Sequence, residues 1–373
     1  MSLNEPNMPN VQGHTAPAMA AEPSAQPSPV QNAARRVIHA NVLPHSAAEQ
    51  KYLPSLRRQG TVTPRAIVSS ISPHPEYDLT YQGGKTITQL TFTIFYLGGD
   101  THWQNQDRTS IDGALSSAMS DAHLNNVVQQ YFNQPITSTF RPSTVLSTAL
   151  PAEVTQASTE QMLVTMYQQN QLQGYDPTQT VFCFICPSGT ILTDDGSVTS
   201  LNGLGGYHGA ANANGTTLYY AIVAYAENQA NGKMSGIVAF DQPWKNITAA
   251  LYHELNEVRT DADVNGTIGW ISRPIADFQN QQVEIGDTPV FEAGHDLGLV
   301  FKEVPLTNGS GTVPVQLLYS NAVHGPEGPR DTADPLSPTN GGGAGGSPIT
   351  TILGILAVII AIAVGVFLVF FNK

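Results

Sequence analysis

The sequence predicts an α+β (or α/β) domain built on a mixed β-sheet, with one membrane-spanning helix at its C-terminal end. Two observations carry this. Between residues 61 and 325, stretches rich in β-branched and aromatic residues alternate with stretches of helical spacing, the pattern of helices covering a sheet. After them, "ITTILGILAVIIAIAVGVFLVFF", residues 349–371, runs without a charge for long enough to cross a bilayer as a helix.

The elements follow in chain order. Residues 1–60 are rich in Pro, Ala, Gln, Asn and Ser and poor in large apolar groups, so they are expected to be disordered or to act as a tether. "RAIVSSI" and "TITQLTFTIFYLGG" read as strands. "SIDGALSSAMSDAHLNNVVQQYF" reads as a helix capped by Ser110 or Asp112, and "TEQMLVTMYQQNQ" as a second one. "QTVFCFICP", "TTLYYAIVAYA" and "MSGIVAFD" are apolar enough to be central strands, and a helix follows from near Pro243 to about Arg259. Residues 326–348 form a Gly/Pro linker before the 349–371 helix.

Composition narrows the function. The 373 residues are enough for one large domain or two small ones. A formal net charge of −13 argues against nucleic acid as a partner. Only 12% of residues are charged, so the polar surface comes from Asn, Gln, Thr, Ser and Gly, a texture of exported proteins. The two cysteines, Cys183 and Cys186, lack the second pair that a four-Cys metal site needs. Their apolar neighbours make them buried structural thiols.

The C-terminal helix makes the bilayer a partner, and two arguments about orientation compete. A tail anchor without an apolar signal segment would leave the domain in the cytoplasm. Lys373 after the helix, with Asp331 and Asp334 outweighing Arg330 before it, favours an extracytoplasmic domain, and that is the expectation adopted.

The chemistry concentrates in "AALYHELNEV", residues 249–258. It opens like a zinc-protease helix, with Glu257 where a second His would stand. Residues four apart share one helix face with Cβ atoms about 6 Å apart, so His253 and Glu257 can reach a single ion. Glu254, about 100° further round, is placed to act as general base. A third ligand is needed. Glu284 in "VEIGDT" is the first candidate, with Asp287 beside it. His208, held on what reads as a Gly-rich loop in "GLGGYHGA", is another, and His295 in "FEAGHDLG" a weaker one. The competing reading is an amphipathic helix with Glu254 and Glu257 on its solvated surface and His253 in the core.

"HELNEV", followed about thirty residues later by "EIGD", with "GYHGA" upstream of "LYYAIVAYA" and "FTIFYLGGDTHWQ" before both, resembles the EXORDIUM (phosphate-induced protein) family. The likeness spans about residues 61–325. It implies a domain with distant zincin-like metallopeptidase character, and matched positions at His208, His253, Glu254, Glu257, Glu284 and Asp287. The chain departs from plant members in lacking their signal peptide, in carrying Thr288 where they have Cys, and in adding the anchor.

Two functions are therefore expected. The first is a membrane-anchored, zinc-dependent hydrolase acting on peptide bonds, with His253, Glu257 and Glu284 as ligands and Glu254 as base. The second is a non-catalytic surface module whose cluster holds a structural ion or none. Its Asn-, Thr- and Tyr-rich loops such as "NANGTTLYY" would contact a peptide, carbohydrate or protein ligand.

Overall fold

A computed structural model describes residues 39–44, 46–48, 71–195, 198–229, 232–275 and 282–337. The expected strand at "RAIVSSI" (Ile71 apart) and the 349–371 helix lie outside these residues. Among the described residues no helix is long and apolar enough to cross a membrane.

In chain order the strands are β1 (His39–Val42), β2 (Leu79–Tyr81), β3 (Gln89–Tyr96), β4 (Thr137–Val145), β5 (Glu153–Val154), β6 (Thr180–Ile185), β7 (Ile191–Leu192), β8 (Leu204–Ala213), β9 (Thr216–Val223), β10 (Glu227–Asn228), β11 (Met234–Ser235), β12 (Trp270–Ser272), β13 (Phe301–Pro305), β14 (Thr312–Gln316), β15 (Leu318–Ser320) and β16 (Gly325–Glu327). The helices are α1 (Asn105–Ser120), α2 (Ala122–Val128), α3 (Gln156–Gln168), α4 (Pro243–Thr260) and α5 (Asp287–Ala293).

Six strands form the central sheet in the order β1-β8-β9-β6-β3-β4. β9, β6, β3 and β4 pair in parallel, while β8 runs antiparallel to both neighbours, β1 and β9. This is the mixed sheet of an α+β fold. β6, "TVFCFI", is buried at every position, as a strand covered on both faces must be. Cys183 and Cys186 are buried free thiols there and just beyond it, and burial pushes both well above the ordinary thiol range.

Helices cover the two faces. Tyr220 of β9 donates to Glu160 of α3, whereas His208 of β8, paired with the next β9 residue, Ala221, reaches α4. Side chains of successive strand residues point to opposite faces, so α3 and α4 lie on opposite sides of the sheet. α1 packs beside α4 on the second side.

Several expectations change at their edges. The long helix expected from Ser110 starts at Asn105 and breaks at Asp121, whose carboxylate accepts from the backbone N–H of His123 and Leu124 and so caps α2. Asp112 is no cap. It accepts hydrogen bonds from Tyr96 at 2.7 Å and from Ser143 at 2.5 Å, tying α1 to β3 and β4. "MSGIVAFD" holds only the two-residue β11; Ile237 is buried, Met234 is exposed, and the irregular backbone between them and α4 is pinned where Asn246 Oδ1 accepts from the N–H of Ala239 and Phe240. α3 starts three residues before the expected "TEQMLVTMYQQNQ", because Thr155 and Ser158 form a reciprocal cap.

The globular part is also longer than 61–325. β1 lies inside the 1–60 segment, and its Ala40, Asn41 and Val42 are buried against β8. Beyond Gly325, β16 pairs with β15, and the N–H groups of Arg330, Asp334 and Ser337 donate to the carbonyls of His123, Asn126 and Gln130. Asn126 stands in the last turn of α2 and Gln130 just beyond it, where a helix end leaves acceptors open. The expected linker at 326–348 is therefore structured up to residue 337.

Removing residues 1–36 is accordingly expected to leave the melting temperature unchanged, whereas removing 1–55 takes β1 away and lowers it by several degrees. Equal melting temperatures for the two truncations would show that β1 contributes nothing.

Candidate metal centre

α4 begins with Pro243 in its first turn, where a missing N–H costs nothing. From Asn246 to Thr260 every residue is buried, which overturns the solvated-surface reading of Glu254 and Glu257. Helices buried all round are ordinarily apolar. This one carries His253, Glu254 and Glu257, each at 0% exposure, across one side. Arg259, also buried, points elsewhere, donating to the Thr137 carbonyl and the Ser138 hydroxyl of β4.

Six of the sequence candidates meet here. His208 comes from β8 rather than from a loop. The Gly-rich stretch that suggested a loop is a strand with a purpose for its glycines, since a Cβ on Gly206 would lie 3.1 Å from Glu254 Oε1 and 2.7 Å from the Ile222 carbonyl. Glu284 lies in the turn before α5 and Asp287 opens that helix. His208 Nδ1 is 3.1 Å from Glu254 Oε2 and 3.4 Å from Glu257 Oε2, and its Nε2 is 3.7 Å from Glu284 Oε1. His253 Nε2 is 3.0 Å from Glu257 Oε1 and 3.9 Å from Asp287 Oδ1. His295 lies exposed in the turn after α5 and is not among the converging donors.

Two groups of three donors result, His208 with Glu257 and Glu284, and His253 with Glu257 and Asp287. The expected triple of His253, Glu257 and Glu284 is thus divided, Glu284 falling with His208. Ligand atoms about 2.1 Å from a tetrahedral ion are about 3.4 Å apart. The separations of 3.0 and 3.9 Å from His253 Nε2 bracket that value, while His208 offers Nδ1 to Glu257 at 3.4 Å and Nε2 to Glu284 at 3.7 Å.

The electrostatics are those of a site short of positive charge. The positive groups facing Glu254 and Glu257 are the two imidazoles. Burial pushes the Glu254 carboxyl up despite its bond to His208. Burial would raise Glu257 too, but His253 and His208 hold it well below the usual carboxylate range. Burial would depress His253, yet the carboxylates of Glu257, Glu254 and Asp287 carry it up to about 10. His208 rises well above its ordinary value for the same reason, with Glu284 the largest of the raising influences. Even so, Glu254 Oε1 is buried and accepts no hydrogen bond, while Glu257 Oε2 and His253 Nε2, equally buried, meet their neighbours at 3.4 and 3.0 Å as charge pairs alone. Leaving buried ionic groups uncompensated costs on the order of several kcal/mol each. A cation among these atoms would remove that cost, and imidazole plus carboxylate is a donor set suited to zinc and its first-row neighbours.

Sequence reasoning missed two supports. Gln316, at the end of β14, donates from Nε2 to the Gly286 carbonyl at 2.6 Å, which leaves its Oε1 to accept from His253 Nδ1 at 2.9 Å. Gly286 itself donates its N–H to Glu257 Oε1 at 3.2 Å. No pattern marks Gln316, which reads as one polar residue in a strand. Gly286 had a signal, the sharp turn of "EIGD", but the closeness of its backbone to the imidazole did not show.

No family model matches the chain, and no curated protein matches it. One solved structure, described as metalloproteinase-II from Bacteroides fragilis, is 14% identical; the match covers 52% of this chain and about half, 50%, of that one, with a TM-score of 0.26. So weak a likeness carries no argument, and the donors must speak for themselves.

Proposed function

We propose that this domain is a metal-dependent hydrolase that holds a divalent ion, zinc first among them, on the buried side of α4. The observation that supports it most is the convergence of two imidazoles and four carboxylates from β8, α4 and the "EIGD" turn, with Glu254 Oε1 buried among them and accepting no hydrogen bond. A bound ion supplies Lewis acidity and lowers the pKa of a coordinated water. Glu254 fits the base: one oxygen is engaged by His208 while the other, Oε1, accepts nothing, and its raised pKa suits a group that takes up a proton. Peptide bonds are the substrate class that the zinc-protease-like helix favours. The order of "GYHGA", "HELNEV" and "EIGD" supports kinship with the EXORDIUM family, residues 349–371 support tethering to a bilayer, and Lys373 after them, with Asp331 and Asp334 outweighing Arg330 before them, supports an outward-facing domain.

One observation favours a second reading, a structural ion in a non-catalytic surface module. Five of the six donor residues are at 0% exposure, and among these described residues the Asp287 side chain, at 12%, is the one open to solvent. Closed sites hold structural metals, and catalytic ones keep a position open.

Glu254→Gln separates the two. The amide keeps the shape but cannot take the proton, so peptide hydrolysis by the full chain should fall at least about a hundredfold with metal content unchanged. Metal-replete wild-type protein that cleaves none of a broad peptide set would leave the structural ion.

A further inference from the structure

The two imidazoles are held in the same way. His253 Nδ1 is tied to Gln316 Oε1 at 2.9 Å and His208 Nδ1 to Glu254 Oε2 at 3.1 Å. Each ring thereby turns Nε2 toward carboxylates, His253 toward Glu257 and Asp287, His208 toward Glu284. Metal-binding histidines are commonly oriented by such a bond at the other ring nitrogen. The pattern occurs twice within one cluster.

Glu257 stands between the two. Its Oε1 lies 3.0 Å from His253 Nε2, and its Oε2 faces the His208 ring, 3.4 Å from Nδ1, with one donor atom each of His208, Glu257 and Glu284 within 4.8 Å of the others, so one carboxylate presents a different oxygen to each group. A single ion would use one imidazole and leave the second group of donors outside its coordination shell. With neutral imidazoles, Glu254, Glu257, Glu284 and Asp287 together carry four negative charges, which two divalent ions match. Buried charges are tolerated where they are balanced.

We propose that the cluster is a dinuclear centre for first-row divalent cations, with one ion held by His253, Asp287 and Glu257 Oε1 and the other by His208, Glu284 and Glu257 Oε2. Glu257 is the bridge. Ions in such pairs lie about 3.5–4 Å apart, and two of them clamp both oxygens of a displacement. This deepens the metal-dependent reading above and rests on it. It changes the role of Glu284, which then serves the His208 ion instead of completing a set with His253.

The test is to load the full chain with manganese(II) alone and measure bound metal per chain together with its paramagnetic resonance spectrum. Two ions with a spin-coupled spectrum are expected. Asp287→Asn and Glu284→Gln should each retain about one ion with the isolated-ion spectrum, and Glu257→Gln should lose the coupling. One ion in wild type, abolished by either Asp287→Asn or Glu284→Gln, would overturn the dinuclear centre and keep the single-metal reading. No bound ion in wild type would overturn both. Should a variant fail to fold, the wild-type stoichiometry and spectrum decide alone.

Discussion

Removing divalent cations is expected to reverse the direction in which pH acts on the stability of this protein. In the metal-free state His253 titrates at about 10 rather than 6.5. Glu257 and Glu254 face it from its own helix, Asp287 from α5, and Gln316 from β14. A folded-state pKa raised above the unfolded one means that the stabilisation is complete below about 6.5 and is lost as pH rises through about 10. For this buried imidazole the effect amounts to at most about 5 kcal/mol. With a metal bound the imidazoles are neutral and have no proton to lose, so alkaline pH leaves stability level. Acid then competes for the donors, and stability falls as pH drops through the histidine range. Melting temperatures of chelated and metal-loaded full chain, measured across pH 6–10, check this. Parallel curves would mean that no ion sits among these residues.

The second large effect is expected at Gly286. A Cβ there would overlap His253 Nδ1, approach Cε1 to 2.5 Å and come within 2.8 Å of Glu257 Oε1. The imidazole cannot retreat, because Gln316 holds it from Nδ1, and α4 is buried behind it. Gly286→Val should therefore cost roughly 3 kcal/mol or more and abolish metal binding together with stability. Gly113 is the control. It lies exposed within α1 with nothing within 4 Å of its would-be Cβ, so Gly113→Ala should stabilise by about 0.5–1 kcal/mol. Denaturant titration of both variants measures the contrast. A Gly286→Val protein as stable and metal-competent as wild type would mean that the turn stands further from α4 than these contacts require.

The donor residues were legible because a helix imposes its spacing. His253, Glu254 and Glu257 had to share one side of α4 whatever surrounded it, and "EIGD" announced a turn able to bring carboxylates close. What surrounded the helix was not legible. Full burial comes from β8, β9, α1 and β14 arriving from distant parts of the chain, and the alternation of polar and apolar residues along α4 suggested a solvated side instead. β8 was misread as a loop because Gly205, Gly206 and Gly209 are turn residues by composition. Gly206 and Gly209 are needed here for clearance, one beneath Glu254 and the other beside the Tyr220 hydroxyl. β1 was missed because four residues cannot outweigh the polar composition around them. Its place is fixed by pairing alone. Which of Glu284 and Asp287 joins which histidine depends on a turn whose direction no spacing rule specifies.

The pairing of His39 with His208 has a consequence beyond folding stability. β8 carries a donor of the metal cluster, is buried over nearly its whole length and reads as apolar and glycine-rich, the properties of a strand that recruits others. β1 occupies its outer edge. A protease cut that frees residues 39–42 would uncover a row of unpaired backbone groups on β8, and the nearest matching strand is the same edge of another molecule. Nicked protein should then associate edge to edge, so that an intact N-terminal segment keeps the molecules apart.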